Sequence, residues 1–330
     1  MSEKQTKPRR KEKKKSALLL AIRYRLEYFV VRMFICVVQA LPLRRCWDLA
    51  DWLGYLFFDV LKVRKRITME NIRAAFPGHT EETYNRLAKQ MWQHLFLMVI
   101  EIAIVPRKLH YNTWRKHLQL ANMVDTVKLM LEDRPVVIIT AHFGNFELCN
   151  YAMGLLGYQT YSVARTLDNP LLNKFLLEFR AGTGQDVIPK KDSYEQIVGV
   201  LQEGATVAFL ADQYAGKRGC PVTFFGRETS GHKAIPLFSL QQDAPMVIGY
   251  SIRTGGPLEY EIAISEIADP RDNHSEIQSP LSATQWYTSA IERFVRRSPH
   301  QYWWLHNRWR PPYRRGQKRK MESKAKNKAA

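Results

Sequence analysis

From Arg134 onward the chain alternates between short apolar runs and amphipathic stretches, and that alternation decides the fold class. "PVVIIT", "YQTYSVA", "TVAFLA", "PMVIGYSI" and "YEIAIS" have strand length and a β-branched or aromatic bias. Between them, "NFELCNYAMGLLG", "NPLLNKFLLEFRAGTG", "SYEQIVGVLQEG" and "HKAIPLFSLQQD" place apolar residues at helical spacing. Strands separated by helices predict an α/β fold with a mixed, mostly parallel sheet flanked by helices. Upstream, the chain reads as helical from residue 44 to about 133, broken at "FPGHT". Thr80, followed by Glu81 and Glu82, marks a helix start there. No internal repeat and no interdomain linker is visible, so 44–312 is expected to form one domain.

Charge bounds what the rest of the chain does. Lys and Arg number 50 against 31 Asp and Glu, for a formal net charge of +19. Residues 1–15 carry eight basic and two acidic side chains, and 307–330 carry ten basic and one acidic. Most of the excess therefore lies in two tails, read as unfolded basic segments over 1–16 and 313–330, because such runs repel themselves and bury no apolar surface. Anionic lipid headgroups and nucleic acid are the partners such tails suit. Cys36, Cys46, Cys149 and Cys220 show neither paired spacing nor clustering, which argues against a zinc site or a disulfide framework and fits a reducing compartment.

Residues 17–43, "ALLLAIRYRLEYFVVRMFICVVQALPL", are the most apolar long stretch. Arg23, Arg25, Glu27 and Arg32 interrupt them, and the longest charge-free run, "MFICVVQALPL", is eleven residues. A comfortable membrane span needs about 20, and no signal-peptide cleavage pattern is present. Leu26, Phe29, Val30, Met33, Val37 and Ala40 recur at helical spacing, with Arg25 and Arg32 on another face. A basic tail followed by such a helix predicts a membrane-anchoring, interfacial segment, with the tail on the cytoplasmic side. A tilted span with snorkelling arginines is the alternative, and a core helix of a soluble protein is the plainer one.

Ligand sites in open α/β sheets form beyond the carboxyl ends of strands. Three polar clusters fall there: His142 and Glu147 after "PVVIIT"; Arg165 and Asp168 after "YQTYSVA", with Arg180 further on; Asp212 and Gln213 after "TVAFLA". Imidazole can take a proton at neutral pH, and a carboxylate on one ring nitrogen would fix its tautomer. On one continuous helix, positions five apart lie ~140° apart around the axis. His142 and Glu147 can therefore meet only across a strand-to-helix turn, which Gly144 permits and Asn145 could cap. There is no G-x-S-x-G elbow, no P-loop and no G-x-G-x-x-G. A histidine base that deprotonates a substrate hydroxyl, with an arginine on the developing oxyanion and no covalent enzyme intermediate, suits what remains. Arg180 near a helix end and Asp212 in a turn also have plain structural readings. His232 and His306 are expected to be structural or surface groups. Trp303, Trp304 and Trp309 beside Arg308 and Arg310 read either as an interfacial belt or as core aromatics.

Six ordered stretches carry a resemblance: "KRITMENIRAAFPG", "AHFGNFE", "ARTLDNPLLNKFLLEFR", "EGATVAFLADQYAG", "VTFFGRETSGHKAIPLFSLQQDAPMVI" and "SPHQYWWLHNRWRPP". In that order they resemble the lipid A biosynthesis acyltransferases, the lauroyl/myristoyl, late acyltransferase family of the bacterial inner membrane with its H-x4-D/E motif. The resemblance spans most of residues 20–312. It implies transfer of a fatty acyl chain from acyl carrier protein or acyl-CoA to a hydroxyl of a glycolipid acceptor at the cytoplasmic face of that membrane. Anionic lipids are the expected surface, with no nucleic acid, no metal and no cofactor beyond the thioester co-substrate. His142 would be the base, Glu147 its partner and Arg180 the catalytic arginine; Asn145, Arg165, Asp212 and Gln213 are assigned to substrate binding. Thr166 stands where the family usually has proline, and the long basic C-terminal tail is not a general family feature. A lysophospholipid or phosphatidylinositol-mannoside acyltransferase is the rival enzyme reading. A basic nucleic-acid-binding module is the rival of another class.

Overall fold

A computed structural model describes residues 8–132, 134–272 and 276–309. The basic segment 313–330 and residues 1–7 of the N-terminal one lie outside the described residues. Helix α1 (Pro8–Ala40) is 33 residues long and begins inside the run read as an unfolded tail. Lys, Arg and Glu are good helix formers, and proline is tolerated in a first turn. Among the described residues no helix is long and apolar enough to cross a membrane.

Three further helices complete the N-terminal half: α2 (Leu43–Tyr55), α3 (Lys65–Ala75) and α4 (Glu81–Lys108). The break at "FPGHT" is where expected, and Thr80 caps α4 by accepting from the Thr83 N–H at 3.3 Å. The reading of this half as helical to about 133 needs one correction, because strand β1 (Leu118–Ala121) precedes α5 (Val124–Leu131). β1 is four residues long and pairs parallel with a strand far ahead in sequence, which periodicity cannot reveal.

Beyond it follow β2 (Val136–Thr140), α6 (Phe146–Leu155), β3 (Thr160–Ala164), α7 (Pro170–Ala181), β4 (Gln185–Pro189), α8 (Tyr194–Gln202) and β5 (Thr206–Leu210). A two-stranded hairpin, β6 (Cys220–Phe224) and β7 (Arg227–Gly231), comes next. Then come α9 (Ala234–Gln241), β8 (Met246–Arg253), β9 (Tyr260–Ala268) and α10 (Pro280–Arg297). All five expected strands and all four expected helices of this half are present. β4 and the hairpin were not anticipated: "QDVIP" and "RETSG" are too polar, and proline sits in β4 and β6, which is tolerated only at strand ends and edges.

The large sheet has the order β1-β9-β8-β2-β5-β3-β4. Every neighbouring pair is parallel except β8 with β9. This is the mixed, mostly parallel sheet that the alternation predicts. β2 lies at its centre between β8 and β5, which is why "PVVII" is apolar on both faces. The register of that pairing positions the site, because Thr140 is level with Leu210. Residues two beyond each, His142 and Asp212, therefore leave the sheet side by side.

Candidate active site

At the end of β2 the chain makes a tight turn and enters α6. Gly144 has φ +57°, and a Cβ there would stand 1.7 Å from the Ser251 carbonyl oxygen, so only glycine fits. Asn145 caps the helix, its Oδ1 accepting from Leu148 N–H at 2.9 Å. A second segment closes over the turn from the far end of the chain. Gly144 N–H donates to Gln301 O at 3.0 Å, Trp303 N–H donates to His142 O at 3.0 Å, and Phe143 bridges to Tyr302.

The carboxylate on His142 is Asp212. Nδ1 lies 2.8 Å from Asp212 Oδ1, which also accepts the His142 backbone N–H at 3.1 Å. Burial alone would raise the Asp212 carboxyl; His142, by its charge and its hydrogen bonds, and His306 beside it outweigh burial and hold it well below the usual carboxylate range. Asp212 is therefore an acceptor at every working pH, and Nδ1 carries the proton. The Gln213 amide completes the assignment: its Nε2 approaches His142 Nε2 at 3.3 Å and His306 Nε2 at 2.8 Å, donating to both. His142 Nε2 thus carries the lone pair, which the Gln213 amide engages at 3.3 Å in this structure. His306 is held neutral, its pKa pushed down to about 4 by burial and by neighbouring cationic groups.

The expectation that Glu147 partners His142 is corrected by this geometry. Glu147 turns away along α6 and takes Arg180 from the last turn of α7 in a two-pronged ion pair, with Nε to Oε2 at 3.1 Å and Nη2 to Oε1. Local spacing suggested one partner, and strand register supplies another from 70 residues away. Glu147 and Arg180 line a cavity with Thr140, Phe146 and Asn150. Phe146 joins the two halves of the site, because its ring meets the His142 ring edge-on at 5.2 Å.

One of the substrate-binding assignments also changes. Asn145 is fully buried, and its amide is spent on the cap and on Glu101, at 3.1 Å, so it positions the turn and meets no substrate. Arg165 is exposed and pairs with Asp168 at 3.1 Å, apart from the His142 cluster. Asp212 and Gln213 do belong to that cluster, as partners of His142.

Three groups escaped the reading of the sequence. His306, read as a structural or surface group, stands 5.2 Å from the His142 ring, and Trp303 lies 5.1 Å from it. Trp304, by contrast, is buried core. Asn71 donates to Trp304 O at 2.7 Å and to His306 O, and Arg64 donates to Leu305 O at 2.9 Å, so the "RKRITMEN" segment holds the C-terminal strip in place. The third is Glu101. Its two oxygens take the Arg253 guanidinium, Leu258 N–H at 2.7 Å, Tyr260 O–H at 2.7 Å and Asn145. His94 adds a bond from Nε2 to Gly144 O at 3.1 Å. The turn is therefore braced from below by a buried polar network. No group of ligands that could hold a metal ion occurs among the described residues.

A histidine oriented by a buried carboxylate, with an acid–arginine pair one ring away, is built to move a proton and to meet negative charge. Comparison with known proteins gives that chemistry its class. The model of the bacterial lipid A biosynthesis acyltransferases matches residues 12–311, and the chain belongs to that family; it is an acyltransferase. The lipid A biosynthesis palmitoleoyltransferase of Escherichia coli (strain K12) is 24% identical over 302 residues, covering 87% of this chain and 92% of its own. The lipid A biosynthesis lauroyltransferase of the same organism is 22% identical over 308 residues, covering 89% and 94%. Among solved structures, the 1-acyl-sn-glycerophosphate acyltransferase of Thermotoga maritima matches at 11% identity and a TM-score of 0.37, covering 82% of this chain and 100% of that one, too distant a likeness to argue from.

Proposed function

We propose that the protein moves a fatty acyl chain from an acyl thioester, on acyl carrier protein or CoA, to a hydroxyl of a lipid A-type glycolipid, with His142 as general base. The acceptor O–H gives its proton to His142 Nε2 while its oxygen attacks the thioester carbonyl. Asp212 keeps the imidazolium that forms in place. The tetrahedral oxyanion then collapses, the C–S bond breaks, and Nε2–H returns the proton to the leaving thiolate. Arg180 spends two of its five N–H donors on Glu147, and the others, with no hydrogen bond to another of the described residues, would meet the oxyanion. The observation that carries the reading is the His142–Asp212 bond at Nδ1, which leaves Nε2 as the acceptor.

The same reading places the enzyme on the cytoplasmic face of an anionic inner membrane. α1 rests on α7, where Asn169 donates to Tyr24 O and to Glu27 at 2.9 Å each and Tyr28 meets Phe175 edge-on. The stripe of Leu26, Phe29, Val30, Met33 and Val37 is left exposed. An apolar patch of that kind beside basic residues suits a lipid interface. Mass spectrometry of acyl transfer by the purified protein tests the chemistry. His142→Ala is expected to lower the rate at least ~10³-fold with the fold intact; a rate within twofold of wild type rejects the mechanism.

A further inference from the structure

A second cleft borders the segment that leaves Asp212 and Gln213. It lies between the β6–β7 hairpin and the loop that leaves Asp212, has a volume of about 780 Å³, and is lined by Tyr214, Lys217, Arg227, Glu228, Thr229 and Trp309, among others. The loop is pinned to the hairpin. Ala215 N–H donates to Ser230 O at 3.2 Å, and Ser230 Oγ donates to Gly216 O at 2.7 Å. A Cβ at Gly219 would fall 2.2 Å from Ser230 Oγ, so the approach needs glycine. Two continuous segments tie the cleft to the base. One runs from Asp212 and Gln213 to Tyr214, two residues that span at most ~7.6 Å. The other runs from Trp303 and His306, both against the His142 ring, to Trp309.

The lining has the chemistry of an anion site with a ring platform. Lys217 and Arg227 are exposed cations, and Arg227 lies 5.7 Å from the centre of the Trp309 ring. Glu228 is the one carboxylate among the lining residues. Beneath them Arg308, 3% exposed, hydrogen-bonds neutral oxygens, Thr229 Oγ1 at 3.1 Å and Ser230 O at 2.8 Å, and its Nε has no hydrogen-bond partner among the described residues. Asp212 acts on Arg308 by charge with no hydrogen bond between them among the described residues, and the Lys217 and Arg227 cations at the cleft favour an anion there. A guanidinium fork and an ammonium together suit a phosphate ester. An indole ring at the wall suits the C–H face of a sugar.

We propose that this cleft holds a phosphate-bearing sugar of the acceptor, with Lys217 and Arg227 on the phosphate and Trp309 against the ring. The assignment to the acceptor, not to the phosphate of the donor's pantetheine arm, follows from the short link between the cleft and His142 Nε2. Gln213 touches Nε2, the atom that takes the acceptor's proton, and the next residue lines the cleft. The proposal rests on the acyl-transfer reading for the word acceptor, but the site itself can be tested without turnover.

Calorimetric titration of the full-length protein with glucosamine 1-phosphate, glucosamine and inorganic phosphate does so. Wild type is expected to bind the sugar phosphate about tenfold more tightly than either fragment, and Lys217→Ala/Arg227→Ala, both at exposed positions, is expected to lose that preference. Equal affinity in the two proteins, or inorganic phosphate binding as tightly as the sugar phosphate, overturns the site whatever the fate of His142. Steady-state kinetics then separates the sources of phosphate. In the double variant the KM for the glycolipid acceptor should rise about tenfold, and phosphatase-treated acceptor should show no such rise. A rise in donor KM instead, or an equal rise with both acceptors, overturns the assignment.

Discussion

Two glutamate–arginine pairs flank the same turn and differ in what surrounds them. In the Glu101–Arg253 pair the side chains are 0% and 6% exposed; in the Glu147–Arg180 pair they are 14% and 11% exposed and border a cavity. Glu101 has every lone-pair direction taken, by an arginine fork, a tyrosine, a backbone N–H and the Asn145 amide. Among the described residues the Arg180 guanidinium hydrogen-bonds Glu147 alone and keeps donors in reserve. The chemistry of the partners is identical, so burial and saturation decide the role. A fully satisfied buried pair can only hold structure, and a partly satisfied one at a cavity can meet a ligand.

Removing one partner of each pair should pull the two apart. Glu101→Ala leaves the Arg253 guanidinium unpaired in the core and is expected to destabilise the fold by ~3–5 kcal/mol in denaturant titration. A loss below ~1 kcal/mol would mean that the buried pair does not brace the turn. Arg180→Ala is expected to lower the rate of acyl transfer by ~10²–10³-fold, the scale of one lost oxyanion donor, with a much smaller change in stability. An unchanged rate with a large loss of stability would make the second pair structural like the first. Replacing both members of the inner pair, as Glu101→Met with Arg253→Met, should recover only the part of the Glu101→Ala loss that comes from the unpaired Arg253, because Leu258 N–H, Tyr260 O–H and the Asn145 amide still lose Glu101 as acceptor. The turn should then have lost its Asn145 contact, so kcat falls while the acceptor KM holds. A wild-type kcat in that protein would show that the turn needs no brace.

The register of the central strands explains which parts of this were legible. Apolar runs with period and length foretell β2, β3, β5, β8 and β9, and with them the strand ends that carry His142, Asp212 and Gln213. Gly144 and Asn145 announce the turn, because its geometry is local. The partner of His142 is not local. It follows from Thr140 lying level with Leu210, a fact of sheet order that spacing within "AHFGNFE" cannot contain. His306, Trp303, Glu101 and Arg253 were missed for the same reason, since each reaches the turn from another element more than 40 residues away. β1, β4 and the β6–β7 hairpin are short, polar or proline-bearing, and only their pairing makes them strands.

The smallest effect concerns pH. Burial is the first cause that lowers His306 and His232, each to about 4, and the nearby cations add to it. Their pKa values in the folded protein lie below the unfolded value near 6.5, so the unfolded chain binds more protons between pH 6.5 and about 4. Stability should therefore fall as pH drops through that window and level off below it. His306→Gln, which cannot titrate, should show a shallower slope in thermal unfolding between pH 7 and 4.5; an unchanged slope would remove His306 from the acid response.

The central claim is that Asp212, not Glu147, sets the tautomer of the base. Nitrogen-15 NMR of histidine-labelled protein reads this directly at His142. In its neutral imidazole form the wild type should show a protonated Nδ1 and an unprotonated Nε2. Glu147→Gln should leave that pattern in place, and Asp212→Asn should abolish it. The opposite outcome, a tautomer lost with Glu147 and kept without Asp212, would contradict the account.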